Sequence, residues 1–239
     1  MLNIKNAFCL CLDKRQEHWE ELRLQCESKG IKFNPYIVGD GEILPPEMYD
    51  RIDTPITNEQ LRQWGYGGNN NDSNELIRKK KNGHYNAFRS HQQMAKMALK
   101  TNDEYVLFLE DDAYFTERYD AVLESIEHQL KYLTWDVIYF AWWIGNEGDN
   151  FNNSIEKMWN EHKKGGLQMV QRVGGLHGAV LNRKVLDIIT RLDATNPIDA
   201  QLSKYFHNKM RSFVVLPKII HDKGIFSNCE QSTLERHKL

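Results

Sequence analysis

Cysteine is scarce in this sequence. Cys9, Cys11, Cys26 and Cys229 are the only four in 239 residues, and they show none of the paired short spacings that hold zinc. Four thiols in a chain of this length also fall short of a disulfide scaffold, so reduced side chains in a cytosol-like, cytoplasmic compartment are the expectation. Long apolar runs are lacking too. The run Ala7 to Leu12 stops at Asp13, too short for a secretory signal, and no later stretch reaches the length of a membrane span. An excess of one charge is equally missing: 31 basic and 33 acidic residues leave a net charge of -2, which provides no field to attract nucleic acid or an anionic bilayer. There is no internal repeat, coiled-coil pattern or low-complexity tract.

What is present is 41% hydrophobic residues, enough for one substantial core, and the chain 1–239 reads as a single domain. Ala7 to Leu12 reads as a strand. Trp19, Leu22 and Cys26 follow at helical spacing, with Gly30 as a stop. Ile31 to Val38 then reads as a second strand, ending in the turn signal Gly39-Asp40-Gly41. A strand, helix, strand unit predicts an α/β fold with a mostly parallel, Rossmann-like central sheet flanked by helices.

Periodicity fades from 40 to 81, where prolines, glycines and asparagines cluster around a short predicted helix near Asn58 to Trp64. A second irregular loop is expected over 145–166. Long loops of this kind are uncommon in a compact domain unless they serve a site. The basic run Arg78 to Lys81 reads either as a solvated face or as a phosphate contact. Helices are predicted at Tyr85 to Leu99, Tyr119 to Leu133, Arg183 to Leu192 and Ile198 to His207. Strands are predicted at Tyr105 to Leu109, Val137 to Trp142 and Phe213 to Leu216, with a further extended segment at Val173 to Leu181.

The most informative strand is Tyr105 to Leu109, because it ends abruptly in Glu110-Asp111-Asp112. Three adjacent carboxylates repel one another, and a divalent cation relieves that repulsion. Mg²⁺ and Mn²⁺ take oxygen ligands and commonly bind through one or two carboxylates plus substrate phosphates. Strand alternation predicts that Glu110 and Asp112 share one side, the metal-facing one, with Asp111 on the other. A solvated strand-to-loop junction is the plainer alternative. His91 and His177 read as packing residues or as ligand contacts, and the glycines around His177 allow a close backbone approach to a ligand or a strand. Trp142 and Trp143 read as core or as a stacking surface for a sugar ring. Asn71-x-Ser73 and Asn152-x-Ser154 fit a glycosylation acceptor pattern that has no meaning without a secretory route.

Five segments in order resemble glycosyltransferase family 25, which includes lipooligosaccharide and collagen galactosyltransferases. They are CLCLDKRQEHWEELRLQCESKGI, NGHYNAFRSHQQMA, VLFLEDDAYF, WDVIYFA and NPIDAQL. The second departs from the family pattern at Asn86 and Ala87, where a glycine and a cysteine are usual. The resemblance implies a GT-A type fold, a UDP-sugar donor, Mn²⁺ or Mg²⁺ as cofactor, and inverting transfer of galactose or glucose to a hydroxyl of a glycan or protein acceptor. Carried over by position, it implies donor contacts at Leu12, Asp13, Arg15, Ser90, His91, Glu110 and Asp111, with metal at Asp112, Glu110 and His221. It also implies a carboxylate facing the acceptor at Asp199, the candidate catalytic base, which alternatively is a first-turn helix residue after Pro197. His221 has the alternative of a plain loop histidine. Two rival functions are an inactive transferase-like binding module and a metal-dependent phosphohydrolase. The second would show further histidine or aspartate clusters, and no His-x-Asp or Asp-x-Asp-x-Thr element is present.

Overall fold

The computed structural model describes residues 2–39, 59, 74–142, 165–170, 173–224, 226–227 and 232–233. The expected helix near Asn58 to Trp64, apart from Glu59, lies outside them. So do Cys229, Trp143, Asn71, Asn152 and most of the two expected loops.

In chain order the elements are β1 (Asn6–Leu12), α1 (Gln16–Ser28), β2 (Lys32–Val38), α2 (Asn74–Leu99), β3 (Tyr105–Glu110) and β4 (Ala113–Phe115). There follow α3 (Tyr119–Leu130), β5 (Val137–Tyr139), β6 (Gly166–Val170), β7 (Gly178–Asn182), α4 (Arg183–Arg191) and α5 (Ile198–Lys209). The last are β8 (Ser212–Leu216), β9 (Ile220–Asp222), β10 (Phe226–Ser227) and β11 (Ser232–Thr233). Seven strands form one sheet in the order β2-β1-β3-β7-β5-β8-β6. In it β2, β1, β3, β5 and β8 run one way, and β7 and β6 run the other. β4 pairs with β9, and β10 with β11, in separate antiparallel ribbons.

Strand alternation distributes the core to both faces. Ala7, Cys9, Cys11, Leu107, Leu109, Ile138, Val180 and Val215 pack with Trp19, Leu22 and Cys26 of α1 and with Tyr119, Val122 and Ile126 of α3. Phe8, Val106, Phe108, Val137, Tyr139, Ala179, Leu181 and Val214 face the opposite way, against α2, α4 and α5. Helices therefore cover both sides of the sheet, and its central strands can be continuously apolar. Among the described residues no helix is long and apolar enough to cross a membrane.

Two local devices shape the sheet. Gly30 has φ 71° and closes α1: Gly30 N–H donates to the Glu27 carbonyl, and Ile31 N–H donates to the Cys26 carbonyl. This is the double bond pattern that turns a helix end into a strand. Gly178 sits where β7 meets the chain after β5, and its carbonyl accepts from Phe140 N–H at 2.7 Å and Ala141 N–H at 3.1 Å. A Cβ at Gly178 would lie 2.7 Å from the Ala141 Cβ and 3.0 Å from its backbone nitrogen. Gly178, next to His177, thus serves a tight strand crossing. Gly178→Ala should lower stability by about 1–3 kcal/mol in a urea melt, and a wild-type midpoint would show that the sheet absorbs the methyl group.

Three departures from the sequence expectations have a local physical cause. α2 begins at Asn74, inside the segment 40–81 expected to be irregular, so Arg78 to Lys81 are helical. Lysine and arginine are good helix formers without supplying apolar periodicity. β6 is an edge strand with Met169 55% exposed, which blurs its alternation. β5 stops at Tyr139, because the next residues turn to bond Gly178 and the chain after β8.

Candidate functional site

The carboxyl ends of β1, β3, β5 and β8 and the amino end of β7 meet along one edge of the sheet, where ligands bind in open α/β folds. The acidic triplet lies there. Its three side chains go to three different environments.

Glu110 ends β3 on the side of α2, where its Oε1 is 3.5 Å from His91 Nε2. His91 is buried, and burial lowers its pKa against the opposing pull of Asp199. Its Nδ1 lies 2.8 Å from the Ala87 carbonyl, an acceptor, so the ring proton belongs on Nδ1 and Nε2 presents its lone pair towards Glu110. The neighbouring Ser90 is buried on the same helix.

Asp111 turns to the other face. Its Oδ2 accepts from Leu12 N–H at 2.9 Å, and its Oδ1 takes an ion pair from Arg15 at 3.0 Å. Burial raises its pKa, and Arg15 only partly offsets that. Asp111 therefore anchors the turn after β1, leaving Asp13 exposed at the rim.

Asp112 lies in the turn between β3 and β4. Its Oδ1 is buried with no hydrogen-bond partner among the described residues. Burial, then Asp111 and Asp222, push its pKa up to about 6. Asp222 arrives through the ribbon: β9 pairs with β4 so that Asp222 faces Ala113 and His221 faces Tyr114, and Lys223 N–H donates to the Asp112 carbonyl at 2.9 Å. Residues opposite each other in such a ribbon share a side and their neighbours take the other. His221 is accordingly stacked on Tyr114, with ring centroids 5.8 Å apart, on the side away from Asp222. His177, just before β7, brings its Nε2 to 4.0 Å from Asp222 Oδ2.

No protein-family model and no curated protein matches this chain.

Asp199 lies in the first turn of α5. Its Oδ1 accepts from Ala200 N–H at 2.8 Å and its Oδ2 from Gly175 N–H at 3.3 Å, so it has the first-turn role. Its charge also reaches His91 and Tyr139. Asp199, His91 and Glu110 form one group on the α2 side of the edge, and Asp112, Asp222 and His177 form another at the ribbon. Asp222 is the residue that sequence reasoning missed. Its only signal is adjacency to His221, and the β4–β9 register that selects it is a long-range pairing.

Among the described residues no group of three or more His, Cys, Asp or Glu is assembled as a metal cage. Two carboxylates with an orphaned oxygen instead fit a cation whose remaining shell comes from water and a ligand's phosphates.

Proposed function

We propose that the chain is an inverting, metal-dependent glycosyltransferase of the GT-A type, similar to family 25, using a UDP-sugar and a hydroxyl acceptor on a glycan or protein. The observation that carries this reading is the buried, unpartnered Oδ1 of Asp112 beside Asp222 at the carboxyl edge of the sheet. A carboxylate kept there at the cost of desolvation needs positive charge, and the edge is where a nucleotide would lie. Asp112 and Asp222 would hold Mn²⁺ or Mg²⁺, whereas Glu110, beside His91, and His221, stacked on Tyr114 on the side away from Asp222, lie apart from that pair. The ion's chemistry would be to neutralise negative charge on the departing diphosphate.

The chain's own groups supply the rest. Arg15 and Leu12, tied to Asp111, set the turn beside the nucleotide. Asp199 takes the proton of the acceptor hydroxyl as its oxygen attacks the anomeric carbon opposite the leaving UDP. Galactose and glucose are the sugars the family resemblance favours.

Calorimetric titration of a panel of nucleotide sugars, with and without Mn²⁺, tests the proposal. One UDP-sugar should bind only when the metal is present. Absence of binding across the panel would remove the transferase reading.

A further inference from the structure

Lys218 is a charged residue of the same edge that the transfer scheme leaves unused. It follows β8 directly after the cis peptide bond Leu216-Pro217. On its far side Ile219 N–H and Ile220 N–H both donate to the Phe140 carbonyl, at 3.1 and 3.4 Å, which pins the backbone to the segment after β5. That segment carries Trp142, whose indole N–H donates to the Val215 carbonyl at 3.0 Å and fixes the ring. The Lys218 Nζ lies 4.7 Å from the Trp142 ring centroid. The ammonium is therefore oriented by an aromatic face, whereas a surface lysine explores solvent freely.

Its electrostatic surroundings point the same way. Burial brings the Lys218 amine down to about 8, with Asp222 pulling upward. Asp222 is also one of the charges that raise Asp112, together with Asp111 and against Arg15, so Lys218 shares the electrostatic neighbourhood of the acidic site at this edge. Counted together, the three carboxylates Asp111, Asp112 and Asp222 against the two cations Arg15 and Lys218 leave a single negative charge. With a divalent cation bound there, the local charge would turn positive and suit an anion.

We propose that Lys218, held on the face of Trp142, is a donor-binding residue whose ammonium contacts the diphosphate of the nucleotide sugar beside Asp112 and Asp222. This rests on the transferase reading above and adds a phosphate contact that the sequence motifs do not contain. An ammonium is a point charge with rotatable donors, suited to phosphate oxygens that shift as the sugar–phosphate bond breaks.

The test is the affinity of the full chain for UDP and for UMP, in Mn²⁺, by calorimetry. Lys218→Met keeps the apolar stem on Trp142 and removes the charge. It should weaken UDP on the order of ten- to a hundredfold and collapse the preference for UDP over UMP, whereas Lys218→Arg should retain it. If Lys218→Met fails to fold, Lys218→Gln carries the same expectation. Wild-type UDP affinity and an unchanged UDP-to-UMP ratio in a folded, uncharged variant would overturn the assignment alone. A wild-type chain that binds neither nucleotide would overturn this inference together with the transferase reading.

Discussion

Asp112→Asn is expected to abolish Mn²⁺-dependent binding of a UDP-sugar while raising the melting temperature of the metal-free protein at neutral pH. The two effects share one cause. Burial, then Asp111 and Asp222, lift the Asp112 carboxyl from 3.8 to about 6. A carboxyl group whose folded-state pKa exceeds its unfolded value binds protons better when folded, so its ionisation costs stability above that pKa. The cost fades as pH falls through the window from about 6 to 3.8. At pH 7 it is on the order of 3 kcal/mol, which the neutral amide avoids. Protons compete with the metal in the same window, so Mn²⁺ affinity should fall about tenfold per pH unit below pH ~6. Melting curves with and without Mn²⁺, recorded from pH 5 to pH 8 (~7 being the reference), measure both sides. Undiminished metal-dependent donor binding in the variant would take Asp112 out of the site.

Asp199→Asn should leave UDP-sugar binding intact and slow transfer by about 10²–10⁴-fold, the usual contribution of a general base. The amide oxygen can still accept from Ala200 N–H, so the first turn of α5 keeps that bond. The amide nitrogen would face Gly175 N–H, donor against donor, which makes a modest fall in melting temperature part of the expectation. Full transfer activity in Asp199→Asn would return this carboxylate to a purely structural role at the helix start.

Most of the framework was legible because its signals are local. β3 is a continuous apolar run, and it is indeed covered on both faces. Trp19, Leu22 and Cys26 sit one helical turn apart, and Gly30 closes their helix with positive φ. The candidate site was readable only in part: the triplet declares itself by its position at a strand end, and strand alternation separates Glu110 from Asp111, but Asp112, in the turn past β3, does not rejoin Glu110 on a shared side as alternation predicts. Asp222 was not readable, since its place depends on which residue of β9 lies opposite Ala113. Nor was the reversed direction of β7, because an apolar strand carries no mark of the direction in which its neighbours run.

The β4–β9 ribbon also dictates an order of assembly. Its strands belong to chain segments between which α3, β5, β6, β7, α4, α5 and β8 are all made. On a ribosome, Asp112 emerges long before Asp222, and contacts so distant in sequence close late. The nascent chain therefore holds an ordinary solvated aspartate through most of its synthesis. The part of the electrostatic cost that comes from Asp222 arises only when the ribbon closes, and the proposed cation site is completed in the same step.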